Sequence, residues 1–122
     1  MLNFNSVTVF SENPKPLAEF YAKVFDKKPD MADESYQGFL VGTTFISFGF
    51  HDQVKGKSQN PERILLNFET EDVKGEFNRI KALGTKIIAE PYSMEEDYWI
   101  ATFADPDGNY FQLTSPWKEK TG

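Results

Sequence analysis

The chain has 122 residues, 39% of them hydrophobic and twelve of them Phe, so it is long and apolar enough to bury a core and does not read as disordered. Its formal charge of −6 argues against a nucleic-acid surface, because phosphate binding needs a basic face. No cysteine is present, which removes disulfides, thiolate catalysis and zinc–thiolate sites.

The opening residues, Met1-Leu-Asn-Phe-Asn-Ser6, hold neither a basic segment nor a long apolar run. No signal peptide or membrane span is expected, and the expected location is the cytoplasm. Ser6-Val-Thr-Val-Phe-Ser-Glu-Asn13 reads as a short alternating strand ending in a helix cap. Asn13 can accept a hydrogen bond from an early helical N–H, and Pro14 suits the first helical position. Leu17, Phe20, Tyr21, Val24 and Phe25 then fill an i, i+3, i+4, i+7, i+8 stripe, which predicts a helix covered on one side. Strands are expected over 36–41 and 43–50, joined at Gly42, with an earlier strand of this half less legible. Residues 51–62 are polar and without apolar periodicity, and read as a connector.

The same grammar then returns. Leu65-Leu-Asn-Phe-Glu-Thr-Glu-Asp72 repeats the first strand and cap at a shift of 59 residues, which also carries Lys15 onto Lys74 and Lys27 onto Lys86. Asp72 should open a second helix with Val73, Phe77, Ile80 and Leu83 inward, and Gly84 should stop it. Strands are expected over 86–90, ended by Pro91, and over 98–103 and 109–115, with Asp105-Pro-Asp-Gly108 as a tight turn. The order is βαβββ twice: module one about 1–50, the connector about 51–62, module two about 63–122. Two half-sheets, each covered by a helix on one face, would leave the other face free to form a cleft.

Strand alternation assigns those faces. Val7, Val9, Leu66 and Phe68 should point at the helices. Ser6, Thr8, Phe10, Leu65, Asn67 and Glu69 should point away, and on the last strand Tyr110, Gln112 and Thr114 should share one face.

Three segments resemble the vicinal oxygen chelate superfamily of glyoxalases, extradiol dioxygenases and bleomycin-resistance-type binding proteins. Pro16-Leu-Ala-Glu-Phe20-Tyr21-Ala-Lys-Val-Phe25 is similar to its first helix. Lys81-Ala-Leu-Gly84 resembles the end of its second, and Thr102-Phe-Ala-Asp105-Pro-Asp-Gly108-Asn109-Tyr-Phe-Gln112-Leu113 resembles its final hairpin. The resemblance implies an α+β fold of glyoxalase/bleomycin resistance/dihydroxybiphenyl dioxygenase type. Paired βαβββ modules would form a cupped mixed sheet, in a homodimer, with a small-molecule cleft in the cup. It also implies four metal-ligand positions in the enzymes, which fall here at Ser6 (or at Asn5 if the register slips), near Ile46 if Gly42 is matched to Gly108, at Leu65 and at Gln112. Side chains of those types do not make an ordinary Zn, Fe, Mn or Ni site, so neither a metal nor another cofactor is expected.

The expected ligand-binding set is Thr8, Phe10, Phe48, Phe50, Asn67, Glu69, Trp99, Tyr110 and Gln112. The aromatic members would supply apolar surface, and Thr8, Asn67 and Gln112 would supply hydrogen bonds. Glu69 could act as a base or hold a ligand amine. No side chain reads as a catalytic nucleophile, since Ser6 has no histidine placed near it. Gly56-Lys57-Ser58 lacks the upstream glycine of a phosphate-binding loop, and Glu95-Glu96-Asp97 reads as a solvated loop rather than a cation site. The expected function is metal-free binding of a small aromatic or amphipathic molecule, with no nucleic-acid or membrane partner. Two alternatives remain: a glyoxalase, lyase or dioxygenase with an altered metal shell, and an interaction module whose cup is filled.

Overall fold

A computed structural model of the chain describes residues 1–117. The chain divides into two compact units, Met1–Lys57 and Ser58–Gly122. Each is a βαβββ module with one four-stranded mixed sheet and one helix. No helix among the described residues is long and apolar enough to cross a membrane.

The first unit runs β1 (Ser6–Ser11), α1 (Pro14–Phe25), β2 (Met31–Ala32), β3 (Tyr36–Val41) and β4 (Thr44–Phe50), with sheet order β1-β4-β3-β2. β1 lies parallel to β4, and the other pairs are antiparallel. The stripe on α1 does what its spacing predicts: Leu17, Tyr21 and Val24 are buried, and the Tyr21 ring stacks on Phe48 at 4.8 Å. Phe39 and Phe48, on adjacent strands, meet edge to face at 6.0 Å beneath the helix. Asn13 takes the N-cap position, but its side chain makes no capping bond; its own N–H donates to the buried Ser11 hydroxyl at 2.9 Å. The reason lies in the first turn. Pro14 and Pro16 carry no N–H, so the usual third-position donor for a cap oxygen is missing.

One strand edge of this unit is finished by side chains. β2 covers only Gly38 and Gln37 of β3. Beyond it, the Leu40 N–H donates to the Asp30 carboxylate at 2.7 Å and the Leu40 carbonyl accepts from Lys27 Nζ at 2.8 Å. Lys27 and Asp30 are themselves paired at 2.7 Å, so the two side chains close the ladder where the short strand stops. The Lys27 hydrogen bond, then the Leu40 N–H, hold the Asp30 carboxyl below its ordinary value of 3.8. A depressed folded-state value contributes stability that is present above the unfolded value and lost as pH falls through the folded one. Asp30→Asn is therefore expected to lower the melting temperature at neutral pH, and the gap from the parent should close as pH falls below 3.8 and through the depressed folded-state value. Melting curves at several pH values check this. A gap that persists unchanged in acid would show that the carboxylate charge contributes nothing.

The second unit runs β5 (Leu66–Glu69), α2 (Val73–Lys81), β6 (Lys86–Glu95), β7 (Tyr98–Ala104) and β8 (Tyr110–Thr114), in the order β5-β8-β7-β6, with β5 parallel to β8. Its core is an aromatic stack: Phe77 of α2 lies on Phe103 at 5.1 Å, and Phe103 on Phe111 at 5.6 Å. Asp72 caps α2 as its sequence position predicts, accepting from the Gly75 N–H at 2.9 Å.

Two expectations are corrected here. Leu83 is not inward: the helix ends at Lys81, and Leu83 sits beyond it, 44% exposed, just before Gly84 turns the chain at φ 85°. Pro91 does not end its strand, because β6 continues to Glu95. The β6–β7 register shifts between Ala89 and Tyr92, so the missing N–H of Pro91 falls in an irregularity of an edge strand, where no ladder bond is required.

Candidate functional site

In each unit one face of the sheet carries the helix, and the pairing registers identify the residues on the other, here the far face. In the first unit Thr8 pairs with Ser47, and Ser47 with Gly38. In the second Asn67 pairs with Gln112, and Gln112 with Thr102. The shift of 59 that carries Thr8 onto Asn67 thus makes Ser47 the structural counterpart of Gln112. Both polar rows are hydrogen-bonded. The Ser47 hydroxyl reaches Thr8 Oγ1 at 3.3 Å, and the Gln112 amide nitrogen donates to Thr102 Oγ1 at 3.0 Å.

Aromatic rings flank the row in the first unit. Phe10 lies on the far face and meets His51 edge to face at 5.3 Å. Gly49 occupies the space between rings: a side chain there would touch Tyr36 at 3.6 Å and Phe10 at 3.7 Å. At Gly38 a Cβ would collide with the Phe45 ring, which therefore lies flat across the strand. Tyr36, Phe45 and Ser47 were not among the residues expected from sequence. The readable signal was the pair of glycines inside β3 and β4, since a strand glycine often marks a close approach by a neighbour. In the second unit Tyr110 is half-buried and shares the far face with Gln112 and Thr114, while Asn67 and Glu69 are exposed on β5.

The structure does not bring the whole expected set to these faces. Thr8, Phe10, Asn67, Glu69, Tyr110 and Gln112 lie on them. Phe48 does not: it is 0% exposed, pinned between Tyr21 and Phe39 under α1. Phe50 pairs with Ser11, two residues along the same strand as Phe48, and so also lies on the helix face, exposed at the strand end. Trp99 shares its face of β7 with Phe103, the residue stacked on α2, and the Lys74 ammonium of that helix stands 3.9 Å over its ring. Strand alternation alone misplaces these three because it does not say which parity of a strand with apolar residues at both parities meets the helix.

The position carried over to Ile46 is corrected in the same way. Ile46 pairs with Val7, is 4% exposed, and faces α1; its far-face neighbour Ser47 is the matching residue. The positions that the resemblance assigns to metal ligands then read Ser6 and Ser47 in the first unit and Leu65 and Gln112 in the second. Two hydroxyls, an isobutyl group and an amide do not fit Zn, Fe, Mn or Ni, which take imidazole, carboxylate or thiolate donors. Among the described residues no three His, Asp or Glu side chains converge elsewhere as a ligand set.

Two successive βαβββ modules with a parallel first and last strand in each define a glyoxalase-type fold. The chain belongs to the glyoxalase-like domain family, whose model matches residues 6–114. Solved structures agree with this. A protein described only as a conserved domain protein has a TM-score of 0.80 at 19% identity, over 95% of this chain and 100% of its own. A glyoxalase/bleomycin resistance protein/dioxygenase family enzyme from Burkholderia phytofirmans PsJN gives 0.75 at 22% identity, over 93% and 98%. The genomically encoded fosfomycin resistance protein of Listeria monocytogenes gives 0.66 at 21% identity, over 96% and 93%. At these identities the likeness is one of fold. No curated protein matches the chain significantly.

Proposed function

We propose that this glyoxalase-like protein binds a small aromatic or amphipathic molecule on the far faces of its modules, without a metal. The observation that supports this reading best is the chemistry of the two matched rows. Ser47 and Gln112 offer a hydroxyl and an amide at positions where the resemblance puts imidazole or carboxylate in a metal-binding relative, and their row partners Thr8 and Asn67 add a second hydroxyl and a second amide. Phe10, Tyr36 and Phe45 add apolar surface beside the first row, and Tyr110 beside the second. Glu69, exposed on β5, is placed to accept a hydrogen bond from a ligand amine.

The expected affinity is modest. Removing roughly 200 Å² of apolar ligand and protein surface from water gives about 5 kcal/mol gross, and the cost of immobilising the ligand takes part of that back. A dissociation constant of about 0.2 mM or weaker follows from that burial alone, before any hydrogen bond to the ligand is counted.

The test is a titration of chelator-treated protein with a panel of planar aromatic molecules, read by thermal shift and calorimetry. At least one should bind saturably, and Asn67→Ala should weaken that binding by about tenfold, the worth of one well-made hydrogen bond. Asn67 is exposed and holds no structural side-chain bond among the described residues, so the variant should melt with the parent. A panel that binds only after Zn, Ni, Mn or Fe is added would contradict the reading.

A further inference from the structure

The two tryptophans of the chain lie together, away from the far faces. They line a groove of about 1060 Å³ in the second unit, between the start of α2, the β6–β7 hairpin and the segment after β8. Trp99 forms part of the wall, held in place by its backbone N–H donating to Ser115 Oγ at 2.9 Å and its carbonyl accepting from the Ser115 N–H at 3.0 Å. Trp117 and Met94 border it and are 75% and 62% exposed, more apolar surface than a closed core leaves in water.

The Trp99 ring already receives a cation. Lys74 Nζ lies 3.9 Å from the ring centroid, in the geometry by which a positive charge is drawn to an aromatic face. The charge around it has one sign: among the described lining residues, Glu71, Asp72, Glu95, Glu96 and Asp97 are acidic and Lys74 alone is basic. Asp72 spends one carboxylate oxygen on the α2 cap, and Glu71, Glu96 and Asp97 add acidic groups along the groove. A lysine ammonium is strongly hydrated and gives up little water on such a ring. A cation carrying its own apolar groups loses less by leaving water, and would cover Trp117, Met94 and Pro116 as well.

We infer that this groove is a binding site for a small hydrophobic cation, an aryl- or alkylammonium, whose charged head takes the Trp99 face by displacing Lys74. The site is independent of the far-face site proposed above and shares no residue with it.

The full chain is used for the test, so that residues 118–122, with Lys118, Glu119 and Lys120, contribute their charge. Benzyltrimethylammonium is titrated against tryptophan fluorescence, which reports this groove alone because both tryptophans line it. Benzyl alcohol and benzoate are titrated in parallel as the neutral and anionic counterparts. Saturable quenching is expected with the cation, at least about tenfold tighter than with benzyl alcohol, and none with benzoate; added salt should weaken it. Lys74→Gln, on an exposed helix position, should tighten binding by about threefold or more by removing the internal competitor and its charge. Trp99→Leu should weaken it by about tenfold, followed by calorimetry. Asn67→Ala should leave it unchanged. Equal binding of cation and alcohol, no gain in Lys74→Gln, or displacement by equimolar calcium would overturn the inference. If Trp99→Leu does not fold, the Lys74 variant decides.

Discussion

Phe48→Ala is expected to destabilise the protein by about 3–5 kcal/mol, while Phe10→Ala, one strand away, costs less than about 1 kcal/mol. Sequence alone does not place Phe48, since β4 carries large apolar residues at both parities. The difference is one of face. Phe48 has no exposed surface, stacks on Tyr21 at 4.8 Å and meets Phe39 at 6.0 Å, so truncation leaves a cavity under α1 and removes two ring contacts. Phe10 is 44% exposed and its ring contact is with His51 at the strand end, so its loss removes only part of a burial term. Urea unfolding of both variants measures the contrast. The prediction for binding runs the other way: Phe10→Ala should weaken the aromatic ligand while the fold stands. Comparable destabilisation by the two would show that Phe10 is core and would remove a wall from the proposed site.

Asp105→Ala is the second large effect expected, about 2–3 kcal/mol, with Asp105→Asn falling between it and the parent. Asp105 is 5% exposed, and one carboxylate oxygen accepts the N–H groups of Asp107 at 2.9 Å and Asn109 at 3.0 Å. The other oxygen accepts the Asn109 amide at 3.0 Å. Alanine leaves all three donors without their carboxylate. Asparagine keeps an oxygen for the two backbone donors and for the longer 3.3 Å contact of the Asn109 amide, and forfeits the shorter 3.0 Å one and the charge. The turn matters to the site because β8 begins just beyond it, and the pairing of Gln112 with Thr102 depends on where that strand enters the sheet. Thermal and urea unfolding of the three proteins should give the order Asp, Asn, Ala. An Ala variant as stable as the parent would mean that the turn is held by its backbone bonds and by Gly108 at φ 80° alone.

Most of the fold was legible because its signals are local. The stripe from Leu17 to Phe25, the cap at Asp72 and the Asp105 turn each act within a few residues, and each is where the pattern places it. What failed depends on neighbours outside the pattern, in one case distant in sequence and in the other close by. Pro91 reads as a strand end until the edge position of β6 and its shifted register are known. Asn13 reads as a capping side chain unless the second proline, Pro16, is weighed.

The site was legible in its first and last strands, where apolar and polar residues alternate cleanly: Val7 and Val9 against Thr8, Phe111 and Leu113 against Gln112. It was illegible in β4 and β7. Residues 45–48 read Phe-Ile-Ser-Phe and residues 99–103 read Trp-Ile-Ala-Thr-Phe, with large apolar groups at both parities. There only the cross-strand register decides, and it moved Phe48, Phe50 and Trp99 to the helix face and brought Phe45 and Ser47 to the other. The same one-residue ambiguity put Ile46 in place of Ser47. The correction changes the residue without restoring a metal donor.

The most direct test of a metal-independent binding face is a map of amide chemical shifts while chelator-treated protein is titrated with the aromatic panel, before and after addition of Zn, Ni, Mn or Fe. Saturating shifts should centre, within each unit taken by itself, on Thr8 with Ser47 and on Asn67 with Gln112, spare Ile46 and Phe48, and stay the same once metal is added. Shifts at those four positions that appear only with a stoichiometric metal ion would contradict it.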